Sequence, residues 1–471
     1  MATSPIVVVY ATGVAVMLGI AVHRRHDLSF GLAVLGLVTA LALLPLVSGL
    51  TPRQVTPLLV VDDFAVLYSA LVLGAGLCVV LMSRGYLNCR RCQPDELYIL
   101  VLLCSAGAAV MVTSQHFASF YLGLEVLSVS LYALIGYRCT SRRSTEAAVK
   151  YLVLAAAAAA FLLFGMALVY SQTGTLRFAE IAAAGSGVLG SGITLAGFAL
   201  ILAGLGFKLS VAPFHMWTPD VYEGAPAPVT AYIATVSKAA VFALLLRYLP
   251  AGDGSAFGAL RLSIALIAVA SMFVGNLLAL RQQRLKRILA YSSIAHLGYV
   301  LVAWLAGGAA AVESVTVYLV GYVVATLGAF GVITVLSARP GDHELDDLEE
   351  YRGLFASHPA LAATLSLMLL SLAGIPLTAG FVGKLYVVVT GLRAGLWWLV
   401  GALVVNSALG LVYYLRVINT MVRSGSEPPV TDRAPCACWL GPLVLAALAL
   451  LTVALGVWPE PLIKVVHAAI P

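Results

Sequence analysis

Four charged residues stand where charge is expensive. Glu125 lies in HFASFYLGLEVLSVSLYALIGY, nine residues past His116, about 14 Å along a helix. Lys238 lies in APAPVTAYIATVSKAAVFALLLRYL, twelve residues past Pro226, about 18 Å in. Lys208 in GFKLSVAPFHMW and Lys384 in SLAGIPLTAGFVGKLYVVV complete the set. A Lys or Asp near the centre of an apolar helix costs roughly 2.5–3.5 kcal/mol on insertion scales, so four together require a use. Desolvation favours the neutral amine of a lysine and a nearby carboxylate favours the ammonium, so the chemistry they suit is proton transfer. Glu125 is the natural partner of Lys208.

Three further groups carry two readings each. Lys150, in STEAAVKYLVLAAAAAAF, is either part of such a path or an ordinary helix-start ion pair with Glu146, in the favourable i,i+4 order. His296 lies ten residues past Lys286, about 15 Å deep, with Ser292, Ser293 and Tyr299 on the same helix. That is either a hydrated polar seam or a packed, hydrogen-bonded histidine. His215, two residues past Pro213, either caps the interface or carries protons. Arg416, in LVYYLRVIN, reads as a structural residue that snorkels to an interface.

The elements that must position these groups are membrane-spanning helices. The chain has 471 residues, 61% hydrophobic and 10% charged, which leaves no stretch polar enough to coat a soluble domain. Long unbroken apolar runs favour helices over barrel strands, because each span must pair its own backbone groups. The runs predict fourteen crossings: 4–22, 28–50, 60–83, 96–113, 116–137, 146–171, 192–217, 226–249, 257–280, 286–306, 311–337, 359–391, 394–422 and 438–466. The first run has no basic residue before it and HRRH after it, so it reads as a retained span. Loops that share a side with Arg24 and Arg25 hold sixteen Lys and Arg, against six opposite, which makes that side cytoplasmic and puts both termini outside. The net charge of +6 is a topology signal and calls for no nucleic acid. The cluster RQQRLKR (281–287) reads as an anchor at lipid headgroups.

Pro213 and Pro376 interrupt the seventh and twelfth runs beside Lys208 and Lys384. Pro213 leaves the carbonyl of Leu209 without its usual partner, and Pro376 does the same to Leu372. Paired interruptions are the usual pointer to an ion pathway, although two unrelated proline kinks would look the same. Their separation of five spans predicts an inverted repeat of helices 4–8 and 9–13, in an all-α polytopic membrane protein of about fourteen transmembrane helices with helices 7 and 12 broken. The expected divisions of this single membrane domain are 1–95, 96–250, 251–422 and 423–471.

Other chemistry is thin. There is no Gly-rich phosphate loop, no haem or iron–sulfur spacing and no nucleophile–base motif. Cys89 and Cys92 with Cys436 and Cys438 offer four sulfurs on one face, but C-x-C is unusual for structural zinc and no metal site is expected.

The motifs FYLGLEVLSVSLYALIGY, GFKLSVAPFHMWTPDVYEGAPAPVTAYIATVSKAAVF, LKRILAYSSIAHLGYVLVA and SLAGIPLTAGFVGKLYV resemble those of the antiporter-like membrane subunits of complex I, the proton-pumping NADH:quinone oxidoreductase. The resemblance runs over nearly the whole chain. It implies fourteen helices with an inverted repeat, and a proton path through Glu125, Lys150, Lys208, Lys238 and Lys384, with His215 and His296 at positions where relatives also place polar groups. It also implies that no cofactor is held here. NADH, FMN, iron–sulfur clusters and quinone would belong to partner subunits, among them further antiporter-like ones, in a bacterial cytoplasmic membrane.

Overall fold

A computed structural model of the chain describes residues 2–89, 94–138, 141–248, 258–338, 344–423 and 438–470. Its helices are α1 (Ser4–Val22), α2 (His26–Ser48), α3 (Asp63–Asn88), α4 (Asp95–Thr113), α5 (Phe117–Ile135), α6 (Arg142–Thr173), α7 (Phe178–Ala182), α8 (Ser186–Leu189), α9 (Gly192–Leu209) and α10 (Trp217–Gly224). They continue as α11 (Ala227–Tyr248), α12 (Gly258–Leu280), α13 (Leu285–Ala306), α14 (Gly308–Leu336), α15 (Leu354–Ser357), α16 (Pro359–Ala373), α17 (Ala379–Arg393), α18 (Trp397–Val422), α19 (Leu440–Val457) and α20 (Glu460–Ala469). A short antiparallel hairpin, β1 (Arg53–Thr56) and β2 (Leu59–Val61), joins α2 to α3.

Thirteen of these helices are long and apolar enough to cross a membrane alone. The expected twelfth run, 359–391, is divided into α16 and α17, fifteen residues each. Within lipid, helices gain nothing from burying apolar surface against one another, so small residues decide where they touch. Gly107 of α4 and Gly123 of α5 meet face to face, and a Cβ on either would stand 2.8 Å from the other's carbonyl oxygen. The packing pairs of the fourth to eighth crossings recur in the ninth to thirteenth. α4 packs on α5 as α12 does on α13, α6 on α9 as α14 on α16 and α17, and α11 meets α4 and α5 as α18 meets α12 and α13. The expected division at 250/251 lies outside the described residues. The innermost helices are α11 and α13, each 94% buried across its apolar window, and α14 at 89%, whereas α1 is only 28% buried. These three can carry polar groups without meeting lipid.

Two expectations need correction. The run 438–466 is not one span: α19 stops at Val457 and a separate α20 begins at Glu460. The sequence WPEP causes this, since Pro459 and Pro461 bias the residues before them away from helix. The cluster 281–287 is not chiefly a headgroup anchor either. Arg281 is exposed, but Lys286 has a side chain only 1% exposed and donates to the Ala225 carbonyl at 2.9 Å and to the carboxylate of Glu344. Arg287 pairs with Asp220 (3.0 Å) and Glu223 (2.8 Å), and Arg284 pairs with Glu223. Glu344 also accepts the Ala227 amide at 3.2 Å, so the cluster ties the start of α11 to the loop after α14. Carboxylates from α10 and that loop supply partners that the run itself did not reveal.

Arg416 serves as a structural residue, as expected, donating to the carbonyls of Leu280 (2.8 Å) and Gln282 (2.6 Å) at the end of α12. Cys92 and Cys436 lie outside the described residues, Cys89 is in a disulfide and so has no free thiolate, and Cys438 is a free thiol.

Two stability outcomes follow from this packing. Glu344→Ala leaves the Lys286 ammonium buried without its carboxylate, which should cost about 3–5 kcal/mol. Gly380 sits where any Cβ would collide with the Ser371 carbonyl across the break between α16 and α17. Gly380→Ala should therefore cost about 1–3 kcal/mol or more. Thermal unfolding of the detergent-solubilised protein, compared across these variants, measures both.

Candidate proton-transfer site

The site is built where α9 and α16 stop. α9 ends at Leu209 because Ser210 turns into the left-handed region, φ 62°, and closes the last turn with its amide on the Phe207 carbonyl at 3.0 Å. The remaining carbonyls need donors, since at this depth water is scarce. Trp217 Nε1 is a second donor to the Phe207 carbonyl, at 2.9 Å. Lys238, fully buried on α11, supplies another: its Nζ donates to the Leu209 carbonyl at 3.1 Å and to Ser210 Oγ, with the Trp217 ring 5.7 Å away. The expectation that the Leu209 carbonyl is freed beside Pro213 holds, and the group that captures it is Lys238.

The second break repeats the chemistry. α16 ends at Ala373, with Gly374 at φ 84° and its amide on Leu370 and Ser371. Lys384 of α17 donates to the Ala373 carbonyl at 2.6 Å and to Ser407 Oγ at 2.9 Å, with its Nζ 5.4 Å from the Tyr299 ring. The carbonyl that Lys384 meets is that of Ala373, one residue past the Leu372 carbonyl that Pro376 leaves without an amide donor.

Lys208, in the last turn of α9, is 3% exposed and donates to Ser128 Oγ at 2.7 Å. Tyr151 and Phe207 face its ammonium at 5.5 and 5.9 Å. Glu125 lies one turn before Ser128 on α5. No direct ion pair within 4 Å joins Glu125 to Lys208 among the described residues, and Glu125 Oε1 is buried without a hydrogen-bond partner. The group that Lys208 touches is the Ser128 hydroxyl. Ser128 and Ser210 were not singled out from sequence, although each lies within three residues of a buried charge.

His296 of α13 is buried, and both ring nitrogens meet tyrosines: Nδ1 to Tyr318 at 2.6 Å and Nε2 to Tyr414 at 3.1 Å. Ser293, one turn earlier, meets Tyr322 at 2.7 Å. His296 is hydrogen-bonded on both ring nitrogens, and its partners come from α14 and α18 rather than from along α13. A small cavity of about 10 Å³, the size of roughly one water, is lined by His296, Tyr318, Tyr322, Ser371 and Lys384 among others.

Two predicted residues stand apart from this buried set. Lys150 is half-exposed and pairs with Glu146 (2.7 Å) and also with Asp220 (2.9 Å), so it edges the arginine-rich network instead of the interior. A cavity of about 320 Å³ opens beside it, lined by Arg143, Asp220, Glu223 and Arg287 among others. His215 is half-buried in the break after α9, its Nδ1 buried without a hydrogen-bond partner. Among the described residues no group of three His, Cys, Asp or Glu is placed to hold a metal.

Known proteins fit this geometry. A family model described as NADH:quinone oxidoreductase/Mrp antiporter, transmembrane, matches residues 114–410, which hold all seven of these residues. A chain of respiratory complex I from Thermus thermophilus, solved with bound aureothin, is 35% identical; the match covers 99% of this chain and 100% of that one, with a TM-score of 0.85. A chain of an archaeal membrane-bound sulfane sulfur reductase is 24% identical over 99% of this chain and 96% of its own, with a TM-score of 0.87. A chain of the Mrp complex of a Dietzia species is 22% identical over the same shares, with a TM-score of 0.85, and these last two likenesses speak for the fold alone. With the family model covering well over half its length, the chain belongs to the NADH:quinone oxidoreductase/Mrp antiporter transmembrane family, as an antiporter-like membrane subunit of the complex I-related kind.

Proposed function

We propose that the chain is a proton-translocating subunit of a proton-pumping NADH:quinone oxidoreductase, the one called subunit N, and that redox chemistry in other subunits drives protons along its buried axis. The observation that carries this reading is the set of three buried lysines at membrane depth, each held by hydroxyl or carbonyl oxygens with no carboxylate in ion-pair contact among the described residues. A lysine held in this way changes protonation when a charge beside it moves. Glu125 and Lys208 form one half of the axis, Lys238 the relay and Lys384 the other half, with His296 between the last two. Lys150 serves at the arginine-rich rim, and His215 lies beside the first break.

NADH, FMN, iron–sulfur clusters and quinone are assigned to partner subunits. Met216, 76% exposed, and Leu377, 68% exposed, leave both breaks uncovered on the isolated chain. Lipid cannot satisfy broken backbone there, which supports neighbouring membrane subunits, further antiporter-like ones included, as the cover. The setting is a bacterial cytoplasmic membrane with the arginine-rich loops inside and both termini outside. The family also serves cation antiporters, and a subunit of a multi-subunit sodium/proton antiporter or a membrane-bound hydrogenase would use the same lysines. Full-length identity of 35% to a complex I chain, against 22% to an Mrp chain, favours the first reading.

The test is proton uptake against NADH oxidation in inverted membrane vesicles carrying the assembled complex. Lys238→Ala should lower both together by about tenfold or more, and normal pumping at normal assembly would contradict the reading. Ser210→Gly keeps the left-handed turn and removes only the hydroxyl that Lys238 meets. It should assemble normally and pump roughly threefold to tenfold more slowly, the range expected for one lost hydrogen bond.

A further inference from the structure

α14 carries hydroxyls at Ser314, Tyr318 and Tyr322, four residues apart and so on one face, about 6 Å of rise between neighbours. All three are buried, at 1%, 4% and 4% exposure. Tyr318 and Tyr322 line the cavity that Lys384 and His296 share. Toward the end of the molecule opposite the arginine-rich loops, Ser314 meets the Thr390 hydroxyl of α17, and Glu313 follows at once. The Glu313 side chain is 16% exposed, and its Oε1 lies 3.2 Å from Nε2 of His467, whose own side chain is 58% exposed.

His467 is delivered by α20, which lies across α3 and α14. Its apolar side packs Leu462, Ile463 and Val466 against Val317 and Val382, while Glu460 and Lys464 face outward, 66% and 75% exposed. A short helix with one apolar and one charged side belongs at a membrane surface, so Glu313 stands at the border between the buried hydroxyls and water.

We propose that Ser314 and Tyr318 with Thr390 conduct protons outward from the Lys384 cavity, and that Glu313, faced by His467, is the group from which they are released. This rests on the proton-translocating reading and names the release site for it. Each hydroxyl accepts one proton and donates another, so none needs to ionise, and single waters span the gaps between turns. At the mouth the Glu313 carboxylate takes the proton as carboxylic acid and gives it to neutral His467, which restores the carboxylate, and the resulting imidazolium gives the proton to water.

The experiment uses the assembled complex in inverted vesicles and reads the rates of proton uptake and of NADH oxidation, with native gels to score assembly. Glu313→Gln and Ser314→Ala should each lower both rates together by about twofold or more, while Glu313→Asp and Ser314→Thr should stay close to the parent. A merely structural role predicts no such rescue by the group that keeps the exchangeable proton. If Glu313→Gln fails to assemble, His467→Gln, on a half-exposed helix, should give the same loss. Parental rates in Glu313→Gln or His467→Gln, with Lys384→Ala defective, would overturn the release site and leave the broader function standing. Parental pumping in Lys384→Ala and Lys238→Ala would overturn the function and the release site together.

Discussion

The carbonyl at the end of a broken helix is the constraint on which the site depends. In water such a group would be solvated at no cost, but at membrane depth it must find a donor within the protein. Leu209 and Ala373 each end a half-helix, and each carbonyl is met by a lysine from a neighbouring segment, Lys238 and Lys384. The arrangement works in both directions. The broken backbone holds a cation without a carboxylate, and the cation holds together a break that lipid would not tolerate. A full ion pair would fix the proton in place, whereas hydroxyl and carbonyl oxygens hold the ammonium more loosely and leave room for exchange.

The helices around the breaks are arranged so that this polarity never meets lipid. α11, α13 and α14 are the most enclosed, and between them they carry Lys238, His296 and the tyrosines. Glycine contacts such as Gly107 with Gly123 bring the outer helices close enough to complete the enclosure. At the arginine-rich end, the buried Lys286–Glu344 pair fixes the start of α11 against the loop after α14, so the helix that carries Lys238 is anchored at one end and engaged with a break in its middle.

Much of this was legible in the sequence, and the parts that were not share a cause. Apolar run length gave the crossings, Pro213 and Pro376 marked the breaks, and depth along a run singled out Glu125, Lys208, Lys238 and Lys384. What depth cannot give is the partner on another helix. Lys208 lands on Ser128 instead of Glu125, and His296 lands on Tyr318 and Tyr414, because those contacts depend on helix rotation and on crossings that no local pattern encodes. The reading of 281–287 as a headgroup anchor failed for the same reason, since its carboxylates come from Asp220, Glu223 and Glu344. Prolines in WPEP did signal the end of α19, but the strong hydropathy on both sides concealed it.

The central claim is that Lys208, Lys238 and Lys384 belong to one hydrated axis. Electron cryo-microscopy of the assembled complex, at a resolution that shows ordered water, tests it most directly. The account predicts water density linking the Ser128 and Ser210 hydroxyls, and continuing past His296 into the Lys384 cavity. A dry, close-packed apolar segment separating Lys238 from Lys384 in every state of the complex would contradict it.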